Sequence, residues 1–322
     1  MKTKNLFKLL PLAAALGLGA GGAQAGVYAV AYNNITDLII TSNPAFSSIT
    51  LPSTLTVDAT GRLNGTVVNT TNPYLGNNAD TGPAQVGIAK ANNDFTVAGP
   101  SGNYGRGDAY IYSQQTKGES CADGTPNCTQ ALNIAEANLD SNGSATGQTG
   151  RNRSDTTVLT VAGANTTVTF DFYADPFIKV IMPAGLDAGS VASGEITVNF
   201  AIVDSTGSAV LWNPADPTST SWTPISQLRT RNFGNPGTTT YDPTLCGEGT
   251  EAICAGNVDV GDYTPTTLAH YTKSVVLGPD TYTLTAQMRE TADVVRVPEP
   301  ATLALLGVGM AGLGFASRRK KV

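Results

Sequence analysis

His270 is the only histidine in the chain, so a catalytic unit of the Ser-His-Asp or Cys-His type would have to be built on it. It stands in Ala269-His270-Tyr271, and no G-x-S-x-G turn exists to present a serine nucleophile. A lone histidine outside such a motif reads first as a surface or hydrogen-bonding residue. Glycoside hydrolysis needs two carboxyl groups across one bond. Glu136, Asp171, Glu195 and Glu290 are candidates, but the sequence pairs none of them, and Asp171 is equally well explained as the wet partner in an alternating strand. Asp140-Ser141-Asn142-Gly143-Ser144 opens like a calcium loop, yet the twelfth position is Arg151, where an acidic ligand is needed. A flexible turn accounts for it better. Asp259 and Asp262 add oxygen ligands without a specific pattern. Trp212, Trp222, Tyr241 and Tyr263 lie in or beside a long polar insertion. Exposed rings there would stack on sugars, and buried ones would pack the loop. No motif specifies a reaction. The expectation is a protein that is not an enzyme and needs no cofactor, calcium being the one alternative left open.

Four cysteines form two close pairs, Cys121 with Cys128 and Cys246 with Cys254. Metal binding would need Cys and His at closer spacing. Three disulfide connectivities are possible. Local pairing is expected, because each loop is short and carries glycine. Each bridge would contribute about 2–3 kcal/mol in the chain-entropy picture.

The two ends set the compartment. Lys2, Lys4 and Lys8 precede an apolar run, Leu9 to Ala20, and then Ala23-Gln24-Ala25. This is the layout of a secretory signal peptide over residues 1–25, cleaved before Gly26. At the other end, Val297-Pro298-Glu299-Pro300 leads into an uncharged run, Ala301 to Ala316, and a basic cluster, Arg318, Arg319, Lys320 and Lys321. Sixteen helical residues cover roughly 24 Å, somewhat short of a ~30 Å hydrocarbon core. The run has no polar face, and its four cations favour the cytoplasmic side of a membrane. A single membrane helix over 301–317 is expected, with everything between the two ends outside.

Val-Pro-Glu-Pro, a Leu/Gly/Ala-rich run and a short Arg-Arg-Lys-Lys end resemble the PEP-CTERM sorting signal of Gram-negative bacteria. The resemblance covers residues 297–322. It implies recognition by an exosortase, removal of the tail near Pro298-Glu299-Pro300, transient anchoring in the inner membrane, and delivery to the cell surface or extracellular matrix. As in a GPI signal, the hydrophobic tail would be discarded.

Without both ends, 272 residues remain (26–297). Seven of the 19 Lys and Arg lie in the ends, but only Glu299 of the 25 acids, leaving 12 cations against 24 acids and a net charge of −12. That balance argues against a nucleic-acid partner. Thr, Ser, Asn, Gly and Ala abound and helix formers are scarce, an all-β composition. Alternation is clear in Val168-Phe170-Phe172 and in Ile196-Val198-Phe200-Ile202. With no β-α-β rhythm, the expected fold is a β-sandwich, a jelly roll being one form of it, with long polar loops. Residues 26–155 read as an N-terminal β region and 156–297 as a C-terminal sandwich region, either separate or one domain. A flexible hinge is expected over Asp140–Arg153, and loop over 64–84. Gly26–Thr41 reads as a strand pair broken at Asn33-Asn34, and Phe95–Gly99 as a short strand. Thr129–Leu139 stays open between helix and strand. Hairpins are expected around Asp204–Gly207 and Gly278-Pro279-Asp280. The functional expectation is an exported structural or adhesive protein associated with exopolysaccharide. A secreted glycan hydrolase and a carbohydrate-binding module are the alternatives.

Overall fold

The computed structural model describes residues 26–50, 55–74, 78–113, 129–150, 155–174, 177–181, 190–207, 209–212, 228–233 and 269–297. The four cysteines, Ala23 and Ala25, Trp222, Tyr241 and Tyr263, and everything from Pro298 onward lie outside the described residues. So do Glu299, Pro300, the expected helix over 301–317 and the basic cluster Arg318, Arg319, Lys320 and Lys321. Among the described residues there are strands and no helix. The strands are β1 (Val27–Asn43), β2 (Ser48–Thr50), β3 (Leu55–Leu63), β4 (Thr66–Tyr74), β5 (Asn78–Asp80), β6 (Ala84–Val86), β7 (Tyr104–Ser113), β8 (Thr129–Leu139) and β9 (Gly143–Thr149). They continue as β10 (Asp155–Val161), β11 (Thr166–Ala174), β12 (Phe177–Ile181), β13 (Val191–Val203), β14 (Ala209–Trp212), β15 (Leu228–Phe233), β16 (Ala269–Leu277) and β17 (Asp280–Arg296).

Two antiparallel sheets result. The first runs β16-β11-β1-β8-β7-β5, with β12 on β1 and β6 on β7. The second runs β14-β13-β17-β9-β3-β4, with β10 on β17, β15 on β13 and β2 on β10. Strands from both halves of the chain share each sheet. The expected all-β sandwich is what forms, because alternating strands bury one face each. Val27, Ala29, Ala31, Val168, Phe170 and Phe172 of the first sheet meet Ile196, Val198, Phe200, Leu284, Ala292 and Val294 of the second in one core. The Phe200 ring lies 5.5 Å from that of Phe170 and 5.9 Å from that of Phe172, both tilted. Such pairs are worth about 0.5–1.5 kcal/mol beyond burial and pin the layers together.

Several local expectations give way to tertiary pairing. β1 is one 17-residue strand, since β8 pairs with it straight through Asn33-Asn34 while β12 flanks it up to Tyr32 and β11 from Ile35 on. Its irregularity comes later, between Thr36 and Ile39, where Asp37 takes φ 55, a region that short polar side chains tolerate. Among the described residues of 64–84, most are strand, in β4, β5 and the start of β6. Asn64 and Gly65, at φ 47 and 86, turn β3 into β4, and Asn-Gly is the hairpin pair that a type I′ turn needs. The described part of the expected hinge, 140–150, is largely β9, bonded between β3 and β17. Thr129–Leu139 is strand, paired with β1 and β7. Phe95–Gly99 is not a strand but part of a covering loop.

Asp204–Gly207 does make a hairpin, with Val203 opposite Ala209. Gly278-Pro279-Asp280 does not. β16 pairs with β11 in the first sheet and β17 with β13 in the second, so the turn carries the chain between layers. Alternation cannot separate the two outcomes, since each flanking strand buries one face either way.

Candidate functional site

The four candidate acids do not converge. Glu290 lies between the sheets, fully buried, with Oε2 accepting from Thr149 Oγ1 at 2.6 Å. Glu195 alternates with the inward Ile196 and so belongs to the outer side of the second sheet, opposite Arg229 and Thr291. Glu136 and Asp171 share the outer side of the first sheet, but Glu136 stands opposite Val30 of β1 and Asp171 opposite Ile39. At about 3.3 Å per residue this separation approaches 30 Å, far beyond the ~5–10 Å that two glycosidase carboxyl groups require. His270 stands opposite Tyr173 on β16, the last strand in the order of the first sheet. Asp140 holds a turn: Oδ2 accepts from Gly102 N at 2.5 Å and Oδ1 from Asn138 Nδ2 at 3.0 Å.

Glu136 is committed to structure. The loop over residues 87–103 straps the outer side of the first sheet. Ile88, Phe95, Val97 and Ala98 pack on Tyr28, Val30, Tyr32, Tyr104 and Ile134. Beneath it Arg106 Nε donates to Glu136 Oε2 at 2.8 Å, and both side chains are wholly buried. Glu136 Oε1 accepts from Tyr28 Oη at 2.6 Å, Ala98 N at 2.9 Å and Gly99 N at 2.9 Å. Arg106 donates its remaining groups to Asp94 O at 3.0 Å and Thr96 O at 2.5 Å. A buried ion pair is tolerable only when its other lone pairs and protons are filled, and the strap's backbone does that. Burial first, and then the Glu136 charge, push the Tyr28 and Tyr104 hydroxyls well above the usual phenol range. The network clamps the loop and offers no open acid.

This clamp escaped sequence reasoning, although Gly105-Arg106-Gly107 carried a trace of it. Arg106 points out from β7, and the glycines on its inner side have no side chain. A Cβ at Gly105 would run into the Arg62 and Thr146 carbonyls, and one at Gly107 into the Gln148 carbonyl. Backbone therefore approaches backbone across the two sheets here.

The outer face of β1, β11 and β16 is open along Thr41, Thr167, Thr272 and Ser274. Thr41, Thr169 and Ser274 form one row, Asn43, Thr167 and Val276 a second, and Ile39, Asp171 and Thr272 a third. Thr169 Oγ1 and Ser274 Oγ share a hydrogen bond of 2.7 Å. Tyr173 and Val276 are exposed, at 38% and 64%. The face is rich in hydroxyls, bears one carboxylate and carries an exposed aromatic ring. Thr and Ser at alternate positions are legible as a wet face, but nothing in the sequence sets Tyr173 above Trp212 and the three aromatics of the insertion.

Both ends of the described chain meet at one pole. Val27 pairs with Leu139. Arg296, buried at the end of β17, donates through Nη1 to Asp140 O at 2.5 Å. Val297 N then donates to Ser190 Oγ at 3.3 Å. The chain leaves the fold directly from the end of a strand inside the second sheet.

A sandwich whose last strand runs without a linker into an apolar, cation-ended tail fits the class of proteins with a C-terminal address. Residues 296–320 match the family model of the PEP-CTERM protein-sorting motif, and the chain carries that signal. No curated protein and no solved structure matches it. The motif makes this an exported protein, processed in dependence on an exosortase through membrane-associated sorting, and destined for the cell surface.

Proposed function

We propose that the mature protein is a non-enzymatic component of the cell surface or extracellular matrix, structural or adhesive in role, that associates with exopolysaccharide. In this reading the signal peptide is removed after Ala25, and both local disulfides form in the oxidising compartment. The tail holds the protein in the inner membrane until an exosortase cuts near Pro298-Glu299-Pro300. No cofactor is required.

The observation that carries the adhesive reading is the exposed face of Thr41, Thr167, Thr272, Ser274 and Tyr173. Hydroxyls and Asp171 match the donors and acceptors of a polysaccharide, and the Tyr173 ring offers a stacking platform. The dispersal of Glu136, Asp171, Glu195 and Glu290 supports binding without turnover. Polysaccharide pull-down tests this: Tyr173→Ala should weaken retention about fivefold, the equivalent of ~1 kcal/mol for one aromatic contact. Unchanged retention, or turnover on a broad glycan panel, would overturn it. Sorting is tested separately by ending the chain after Val297. The truncated protein should fail to reach the surface, and equal surface delivery of the two forms would refute the sorting step.

A further inference from the structure

Gly26 sits against two oxygen atoms. A Cβ at this position would stand 2.5 Å from Asp140 Oδ1 and 2.6 Å from Asn138 Oδ1. One C–C bond of about 1.5 Å further on, the Cα itself lies within about 4 Å of both. Asn138 is wholly buried. Its Nδ2 is used, toward Gly102 O and Asp140 Oδ1, but its Oδ1 is buried with no hydrogen-bond partner. A buried acceptor left empty is costly. Here it lies beside the Cα of Gly26, the residue that the signal-peptide reading makes the first of the mature chain.

We propose that Asn138 Oδ1 and Asp140 Oδ1 form a built seat for the chain's own α-ammonium group. The inference rests on the signal-peptide reading above. A peptidase hydrolyses the Ala25–Gly26 bond with one water, whose oxygen enters the Ala25 carboxylate, and the released amine takes up a proton. The single N–H of Gly26 is thereby exchanged for three donors and a positive charge. One donor fills the empty Asn138 oxygen, and the charge pairs with the Asp140 carboxylate. Glycine is the residue that fits, because any side chain at position 26 would occupy the space of these oxygens. Asp140 also accepts Arg296 Nη1 through its carbonyl. One turn therefore receives the new N-terminus and holds Arg296, where the sorting-motif match begins.

The test uses mature protein isolated from exporting cells. Intact mass reports the N-terminus, and pH-dependent acylation of the α-amine reports its pKa. The amine should titrate about a unit or more above the ordinary 7.7–8.0. Asp140→Asn should return it toward that range. A group whose folded pKa is raised adds stability below its unfolded pKa and loses it as pH rises through the folded one. A variant with one serine inserted between Ala25 and Gly26 displaces the ammonium. It should unfold at lower temperature than the wild type at pH 7, and the gap should close once the amine has titrated. A mature chain starting elsewhere would overturn the cleavage reading and the seat together. A Gly26 terminus with an ordinary pKa, the same in wild type and Asp140→Asn, would overturn the seat alone.

Discussion

Arg106→Leu is the most demanding test of how the first sheet is covered. The substitution removes one partner of a fully buried pair. It leaves the Glu136 carboxylate with Tyr28 Oη and the amides of Ala98 and Gly99, and it strips the Asp94 and Thr96 carbonyls of their donors. Breaking a buried pair from one side costs about 3–5 kcal/mol. In a domain of this size each kcal/mol shifts the melting midpoint by ~2–4 °C, so a fall of roughly 10 °C is expected. The damage should be local as well as global. Urea titration should show the lost stability, and hydrogen exchange should show faster exchange at Ala98 and Gly99 than at β11 or β13. Arg106→Leu with Glu136→Leu should recover only part of the loss. Removing both charges ends the uncompensated desolvation, but the Ala98 and Gly99 amides then lack an acceptor. A single variant that loses less than about 1 kcal/mol, with strap amides protected as before, would refute the clamp.

Gly147→Ala should destabilise by about 3 kcal/mol or more, because its Cβ would meet the Arg106 carbonyl and the Glu136 backbone, with no flexible side chain to yield. Gly278→Ala, whose nearest atom would be Asn165 Oδ1 at 3.7 Å, should be near neutral in the same urea titration. Asp293 has its carboxyl pushed above the usual range, burial outweighing its hydrogen bond to Thr146 and the nearby Arg289 and Arg62. The folded state then holds that proton more tightly than the unfolded state, so ionisation weakens the fold as pH rises through the raised pKa. Asp293→Asn should therefore raise the melting midpoint at pH 7 and give no gain at about pH 3.

What the sequence disclosed was what one strand can disclose alone. Val168, Phe170 and Phe172, and Ile196 through Ile202, alternate because each strand buries one face, and period two survives any arrangement of neighbours. Partners are another matter. Lys273–Leu277 and Thr281–Arg289 flank a good turn, and the same residues suit a hairpin or a crossing between sheets. Asn33 and Asn34 look like a break, yet pairing with Asn133 and Leu132 of β8 holds them extended, because sheet context outweighs local preference. The stretch over 140–153 looked flexible for its small residues. Small residues are what β9 needs where Gly147 passes against the β7 and β8 backbone. The clamp was hidden for a similar reason: Glu136 meets Arg106 only through the register of two strands, and Ala98 and Gly99 only through the path of a loop.

The position of β17 connects the fold to the sorting signal. It is the last strand, yet it pairs with β13 along Val191–Val203 and also with β9 and β10. An exported chain emerging N-terminus first cannot close its second sheet until Asp280–Arg296 has crossed. The seating of Arg296 on the Asp140 carbonyl fixes Val297 against Ser190. Pro300 is three residues further along the chain, a reach of at most about 10 Å. On the anchoring and the cut near Pro298-Glu299-Pro300 proposed above, the processing enzyme works close to this pole. β1 starts at the same pole, with Val27 opposite Leu139, and runs to Asn43 beside Thr167. At about 3.3 Å per residue it reaches roughly 50 Å away. The hydroxyl face lies at that far end. On the same proposal the polysaccharide surface lies away from the anchored pole, so release need not uncover it.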